Sequence, residues 1–252
     1  MKKADIKKLL ADFKTSGNNI PGIFNYCDYW CERCPFTSRC SNFQVGEMLD
    51  EHQASKDLKN KEFWINYANL LAATFEFIRD KMAESGFDIM TLPTVEEREQ
   101  MDKDDAETEN DPLSIEAHEY MKACHDWCEV HFDEQEKILK SRKLAELTIN
   151  HAIEDAFSVV TWYSTLIPAK ISRALIKPLT GEVVEKQDAD GSAKVALSGI
   201  DRSIAAYTVL YEHLSEYEDD ILRFLVTLSR LKEMVLARFP DAPAYHRPGF
   251  DD

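Results

Sequence analysis

Apolar residues recur at three- and four-residue steps over most of the chain, the period of helices that bury one face. In residues 4–13, Ile6, Leu9, Leu10 and Phe13 form a stripe opposite lysines, a short amphipathic helix. Residues 43–55 predict a second short helix. From Asp57 to about Ser85, the positions Phe63, Tyr67, Leu70, Leu71, Thr74, Phe75 and Ile78 lay out a core helix, with Gly86 as its stop. A further helix opens at Pro112 and Ser114, runs to about Arg142 and continues, straight or bent, toward Ala174. Its core face carries Tyr120, Met121, Cys124, Trp127, Cys128 and His131, then Ile149, Ile153, Ala156, Val160, Tyr163 and Ile167. Pro168 is expected to kink or break it, because proline removes a backbone donor and crowds the preceding turn. Residues 178–191, with Pro178, Gly181, Asp190 and Gly191, predict a loop. The last long helical region spans Ser192 to about Phe239, with room for a break near Tyr217.

No alternating strand pattern of useful length interrupts this sequence of helices. The expected class is therefore all-α: a single helical domain over 1–252, built as an antiparallel helical bundle of about four long helices with a cysteine-rich loop packed near one end. Segment 94–112 reads as an acidic linker, since Val95 to Asp111 holds too little apolar surface to offset its ordering entropy. Residues 240–252, interrupted by prolines, read as a tail.

Charge narrows the partners. A formal charge of −16 over 252 residues opposes a phosphate-backbone footprint, which draws on Lys and Arg, so a nucleic-acid partner is not expected. The first ten residues carry lysines where a signal peptide needs a continuous apolar core, and no later run has the apolar length of a membrane span. The expectation is a cytoplasmic protein with no membrane partner. The lysines near the start, with Arg33 and Arg39, make one region locally basic, a place for an acidic protein partner or a second copy in a homo-oligomer.

In a reducing compartment the 6 cysteines are not expected to form disulfides, and four of them crowd into one arch at residues 24–43. The spacing is Cys27-x3-Cys31-x2-Cys34-x5-Cys40. Four thiolates on so short a loop suit one soft cation or one cluster, and metal binding would order a loop with little other reason to be ordered. Structural zinc sites usually pair two Cys hairpins well separated in sequence, whereas here all ligands lie in one arch, which favours a [4Fe-4S] cluster over Zn. Tyr26, Tyr29, Trp30, Phe36 and Phe43 supply a candidate aromatic shield, and the Cys34-Pro35 step is similar to ferredoxin-type motifs.

Two further resemblances cover the arch alone. Cys31-x2-Cys34-x5-Cys40 resembles the last three cysteines of the [4Fe-4S] loop in endonuclease III type DNA glycosylases, although Cys27 stands closer than that pattern has it. The glycines of that family's helix-hairpin-helix and its basic surface are missing, so the resemblance implies a cluster type and not glycosylase activity. Cys27-x3-Cys31-x2-Cys34 is similar to the three-cysteine motif of radical SAM enzymes. That motif prefers an aromatic where Arg33 stands, and it belongs to β/α folds; with Cys40 at hand, the site reads as closed and fully ligated.

Other candidate chemistry is weaker. Cys124, Cys128 and His131 share a helical face and suit either a second ligand set or core packing, which the neighbouring Tyr120, Met121 and Trp127 favour. His118, His125 and Glu129 read as a solvated flank. His151 with Glu154, and His213 with Glu216, reverse the Glu-x-x-His order of di-metal bundles. The polar strip His151, Glu154, Asp155, Ser158, Thr161, Trp162 and Thr165 either faces solvent or a second copy, or lines an enzyme pocket with Lys170 and Arg173. The sequence thus gives three functional expectations: a metal-binding protein carrying one [4Fe-4S] cluster in a redox, sensory or structural role; a zinc-stabilised interaction module; and an enzyme using a polar site around His151 and Glu154.

Overall fold

The computed structural model describes residues 2–12, 17–51, 57–84, 94–141, 147–176 and 182–252, with the side chains of Asp12, 131–148 and 182–185 outside that description. The described residues are helical with no strand among them, which is the all-α class expected from the period. Eight α-helices follow one another: α1 (Lys3–Asp12), α2 (Ser41–Glu51), α3 (Lys61–Glu84), α4 (Val95–Glu109), α5 (Pro112–Ser141), α6 (Leu147–Leu175), α7 (Glu182–His213) and α8 (Glu218–Arg238). None is long and apolar enough to cross a membrane.

Where the sequence reading has one domain, the contacts gather into two compact units. One holds residues 1–98 together with 248–252, and the other holds 99–247. The first unit is thus assembled from stretches far apart in the chain, with the second inserted between them.

In the first unit α1 packs along α3. Ile6 and Ala73 are buried there, and lysines one turn apart on α1 meet acids one turn apart on α3: Lys3 Nζ lies 2.8 Å from Glu76 and Lys7 Nζ 2.5 Å from Asp80. The expected core character of α3 is only partly realised. Ala73 is its buried residue, while Trp64, Tyr67, Leu71, Phe75 and Ile78 are 40–54% exposed. The stripe exists as predicted, but α1, ten residues long, covers a different side of a 24-residue helix. Phe13 and Gly86 lie outside the described residues.

Two stretches are more helical than their composition suggests. Segment 94–112, read as an acidic linker, is filled for most of its length by α4, polar on every side, which runs across the boundary between the units at Arg98. A reciprocal cap starts this helix, since Glu97 N–H donates to Thr94 Oγ1 (3.1 Å) and Thr94 N–H to the Glu97 carboxylate (2.7 Å). Acids in its first turn add to the favourable end charge. Local capping here does what burial does not. The expected loop at 178–191 is likewise replaced from Glu182 onward by α7, in which Asp190 and Gly191 are buried helical positions; Pro178 and Gly181 lie outside the described residues. Lys186 Nζ holds Asp190 at 3.0 Å, an i,i+4 pair.

Around these, α6 packs on α7, α5 on α6, α7 on α8 and α8 on α5, closing a ring of contacts. Pro168 sits inside α6, which continues through it to Leu175. The expected break near Tyr217 is present as a 3-10 turn, Ser215–Tyr217, between α7 and α8. The interior is aromatic: Tyr207 stacks on Phe224 with ring centres 5.0 Å apart, and Trp127 meets Phe224 and Tyr217 at 5.6 and 5.7 Å. Gly199 is tightly enclosed: a Cβ there would stand 3.0 Å from Tyr163 Cδ1 and 3.2 Å from Ile167 Cγ1.

Two outcomes follow from this packing. Gly199→Leu forces Tyr163 and Ile167 off their rotamers and should lower stability by about 1–3 kcal/mol, read from chemical denaturation followed by far-UV circular dichroism. The lysines hold Glu76 and Asp80 below the usual carboxylate range, chiefly through the hydrogen bonds from Lys3 and Lys7. Their contribution is therefore complete above the unfolded carboxylate values of about 4 and is lost as pH falls through the lower folded ones. Protection factors of the α1 amides, referred to the intrinsic exchange rate at each pH, should fall over that acid range, and Lys7→Ala should weaken the acid dependence.

Candidate metal centre

From Gly17 the described chain passes through Pro21-Gly22 into the cysteine arch, which closes onto α2. Gly22 has φ +72°, the left-handed region that glycine enters freely, and Asn25 N–H bonds back to its carbonyl at 3.0 Å. Tyr29 takes the same region, φ 57°, without being glycine. Asp28 Oδ1 accepts from Trp30 N–H at 3.2 Å and Cys31 N–H bonds to Tyr29 O at 3.0 Å, so the tight bend is held from both sides.

The rest of the arch is two 3-10 turns, Cys31–Arg33 and Thr37–Arg39. Cys34 N–H closes the first onto Cys31 O, and Cys40 N–H closes the second onto Thr37 O, both at 3.2 Å. Three-residue spacing in a 3-10 turn eclipses side chains, which is how Cys31-x2-Cys34 presents two thiols to one side. Cys40 O then accepts from Gln44 N–H at 3.1 Å and starts α2.

Gln44 is the clamp. Its side-chain amide exchanges two hydrogen bonds with Asn19, each 3.1 Å, and donates to Ser38 O at 2.8 Å. Ile20 N–H to Arg39 O (3.0 Å) and Arg39 Nε to Asn18 O (3.1 Å) tie the entry strand of the arch to its exit.

All four expected ligands, Cys27, Cys31, Cys34 and Cys40, line one small recess that is partly open to solvent. Its walls are Ile23, Phe24, Trp30, Thr37, Phe43 and Phe250, with Asp28 and Tyr29. Of the expected aromatic shield, Tyr29, Trp30 and Phe43 are in the wall, and Phe36 packs edge-on against Phe250 at 5.2 Å. Arg33 lies over the Trp30 ring, 3.8 Å from its centre. The four thiols are each half-buried. Cys27 Sγ donates to Phe24 O at 3.5 Å, and Phe36 N–H donates to Cys34 Sγ at 3.4 Å, an amide-to-sulfur bond of the kind that tunes metal-bound thiolates. Burial pushes the Cys31 thiol up, and Cys34, Cys40, Glu32 and Asp28 push it further, so Cys31 shares its electrostatic environment with two other cysteines. Among the described residues, no three His, Cys, Asp or Glu side chains converge on a point as ligands of a single metal ion. The thiols surround a space.

Phe250 and Ile23 are site residues that the sequence reading passed over. Ile23 is 2% exposed and looked like any loop apolar residue; Phe250 lies more than two hundred positions from the arch, and nothing local in the sequence announces the contact.

The remaining candidates fall elsewhere. Cys124 is buried in the second unit, accepting from Tyr207 Oη at 3.3 Å with Val160 O 3.9 Å away. Cys128 Sγ stands 3.9 Å from Thr161 Oγ1, and its thiol is pushed up by the bond it makes to Cys124 and by burial. The side chain of His131 lies outside the described residues. His118 Nδ1 bonds Ser114 O at 2.8 Å within α5. His151 and Glu154 pair at 3.4 Å while 76% and 54% exposed, and Asp155, Ser158, Thr161 and Thr165 are exposed with them, so this strip faces outward from the helices of its unit. Lys170 is buried, and Arg173 makes a two-pronged pair with Asp188 (2.6 and 3.1 Å), so neither joins His151 in a pocket. His213 is half-buried and Glu216 exposed.

Compared with protein-family models, curated proteins and solved structures, the chain matches none.

The bend at Tyr29 is directly testable. Tyr29→Gly keeps the left-handed backbone without a Cβ penalty, whereas Tyr29→Val places a β-branched residue there at a cost of about 1–3 kcal/mol. Limited proteolysis should cut the Val protein in the arch and leave the Gly protein as resistant as the parent.

Proposed function

We propose that this chain is a helical protein that holds one [4Fe-4S] cluster on Cys27, Cys31, Cys34 and Cys40, in a redox, sensory or structural role. The observation that carries the reading is that the four cysteines meet in one recess whose other walls are largely apolar and aromatic, with Asp28 and Tyr29 beside them. Soft thiolates select zinc or iron-sulfur, and a dry aromatic wall around sulfur is what a cluster needs to resist solvent.

Zinc is the competing occupant. A tetrahedral thiolate site with Zn–S near 2.3 Å would bring the sulfurs to within about 3.8 Å of one another. The placement of all four cysteines in a single arch, with the Phe36 amide donor directed at Cys34 Sγ, favours the cluster over zinc.

Anaerobic purification followed by metal and sulfide analysis decides between them. Iron and acid-labile sulfide in cluster stoichiometry, with broad visible absorption bleached by dithionite, is the expected result; stoichiometric zinc without colour overturns the cluster. Replacing Cys27, Cys31, Cys34 or Cys40 singly with serine should abolish or sharply reduce cluster content, whereas Cys124→Ser and Cys128→Ser should retain it. A Cys31→Ser protein with full metal content would refute the ligand set.

A further inference from the structure

The recess is not closed by the arch alone. Residues 248–252 belong to the same unit as the arch, and Phe250 forms part of the recess wall. The way it is seated is specific. Gly249 has φ +81°, and a Cβ there would lie 2.9 Å from Ile20 Cδ1 and 3.0 Å from Ile23 Cδ1. The backbone therefore rests directly on the two isoleucines that lead into the arch, in a conformation that side-chain-bearing residues rarely take. Gly249 N–H donates to the Asp252 carboxylate at 2.8 Å, closing a small turn that projects Phe250. Its ring meets Phe36 edge-on at 5.2 Å, a preferred aromatic geometry. Phe36 is the residue whose N–H holds Cys34 Sγ.

We infer that Phe250 is a working part of the metal centre: an aromatic wall, delivered by residues 248–252, that controls access of water and solutes to the four thiols. This rests on reading the arch as a metal site, but not on which metal occupies it. A recess rimmed by half-buried thiols exchanges with solvent at a rate set by how often its walls open, and Phe250 is a wall supplied by a short chain segment far from the arch in sequence. Phe250 acts by position and exclusion and is not itself a ligand. Phe→Leu keeps an apolar filler on the same seat, while Phe→Ala removes it.

Two rates on the full-length protein test the inference. In loaded protein, the first is the loss of bound metal to an excess of chelator; in metal-free protein, the second is N-ethylmaleimide labelling of Cys27, Cys31, Cys34 and Cys40, read by peptide mass. Phe250→Ala should raise both roughly tenfold, and Phe250→Leu should stay within about threefold of the parent. Equal rates in the parent and Phe250→Ala overturn the inference. If Phe250→Ala loses helical content, Gly249→Ala takes its place: faster release and labelling supports the wall, and unchanged rates refute it. Should the purified protein contain zinc instead of iron, the cluster reading falls. The same comparison, run as zinc release, then still supports or overturns the role of Phe250.

Discussion

An arch of twenty residues carrying four thiols has too little apolar surface to hold itself in one shape, and this constraint governs the first unit. The fully buried side chain near the arch is Ile23, and everything that fixes the thiols leads back to its surroundings. Gly22 and Tyr29 take left-handed backbone to bend the chain around it, Gln44 and Asn19 lock the two legs together, and Gly249 seats on Ile20 and Ile23 from outside. Backbone turns place the sulfurs; packing against Ile23 makes the turns stay.

The division of labour between the units follows from composition. The second unit is stabilised as helical proteins usually are, by an interior of Tyr120, Trp127, Tyr207, Phe224 and aliphatic residues contributed from four helices. Among its described residues the first has few buried side chains, and its α1–α3 contact includes paired charges. Paired surface charges contribute modestly. A metal bound to four thiolates would therefore supply a large share of the order in the arch, because ligation and folding of such a loop are linked.

Placing the four thiols in a wall that includes Phe250 also changes what kind of site this is. A loop with cysteines open to water would be a chelating surface. Here the four cysteines line one recess half-buried, Cys34 accepts an amide hydrogen bond, and Cys34 and Cys40 help push the Cys31 thiol up. The polar strip on α6 is the contrasting case: His151 and Glu154 have suitable chemistry and point outward.

The helical class, most helix positions and the four-cysteine constellation were legible in the residues alone, because they depend on local period and short spacing. The capping pair Thr94 and Glu97 was passed over, because the acidic composition around it argued for a linker and concealed a helix that needs no burial. Pro168 was legible as a residue that weakens a helix, yet α6 runs through it, since its packing on α7 outweighs one missing hydrogen bond. What only the tertiary structure decided is long-range: the split into two units, the side of α3 that α1 covers, and the return of Phe250 to the cysteines. Chain period records which face a helix would bury, but it carries no information about which distant segment arrives to bury it.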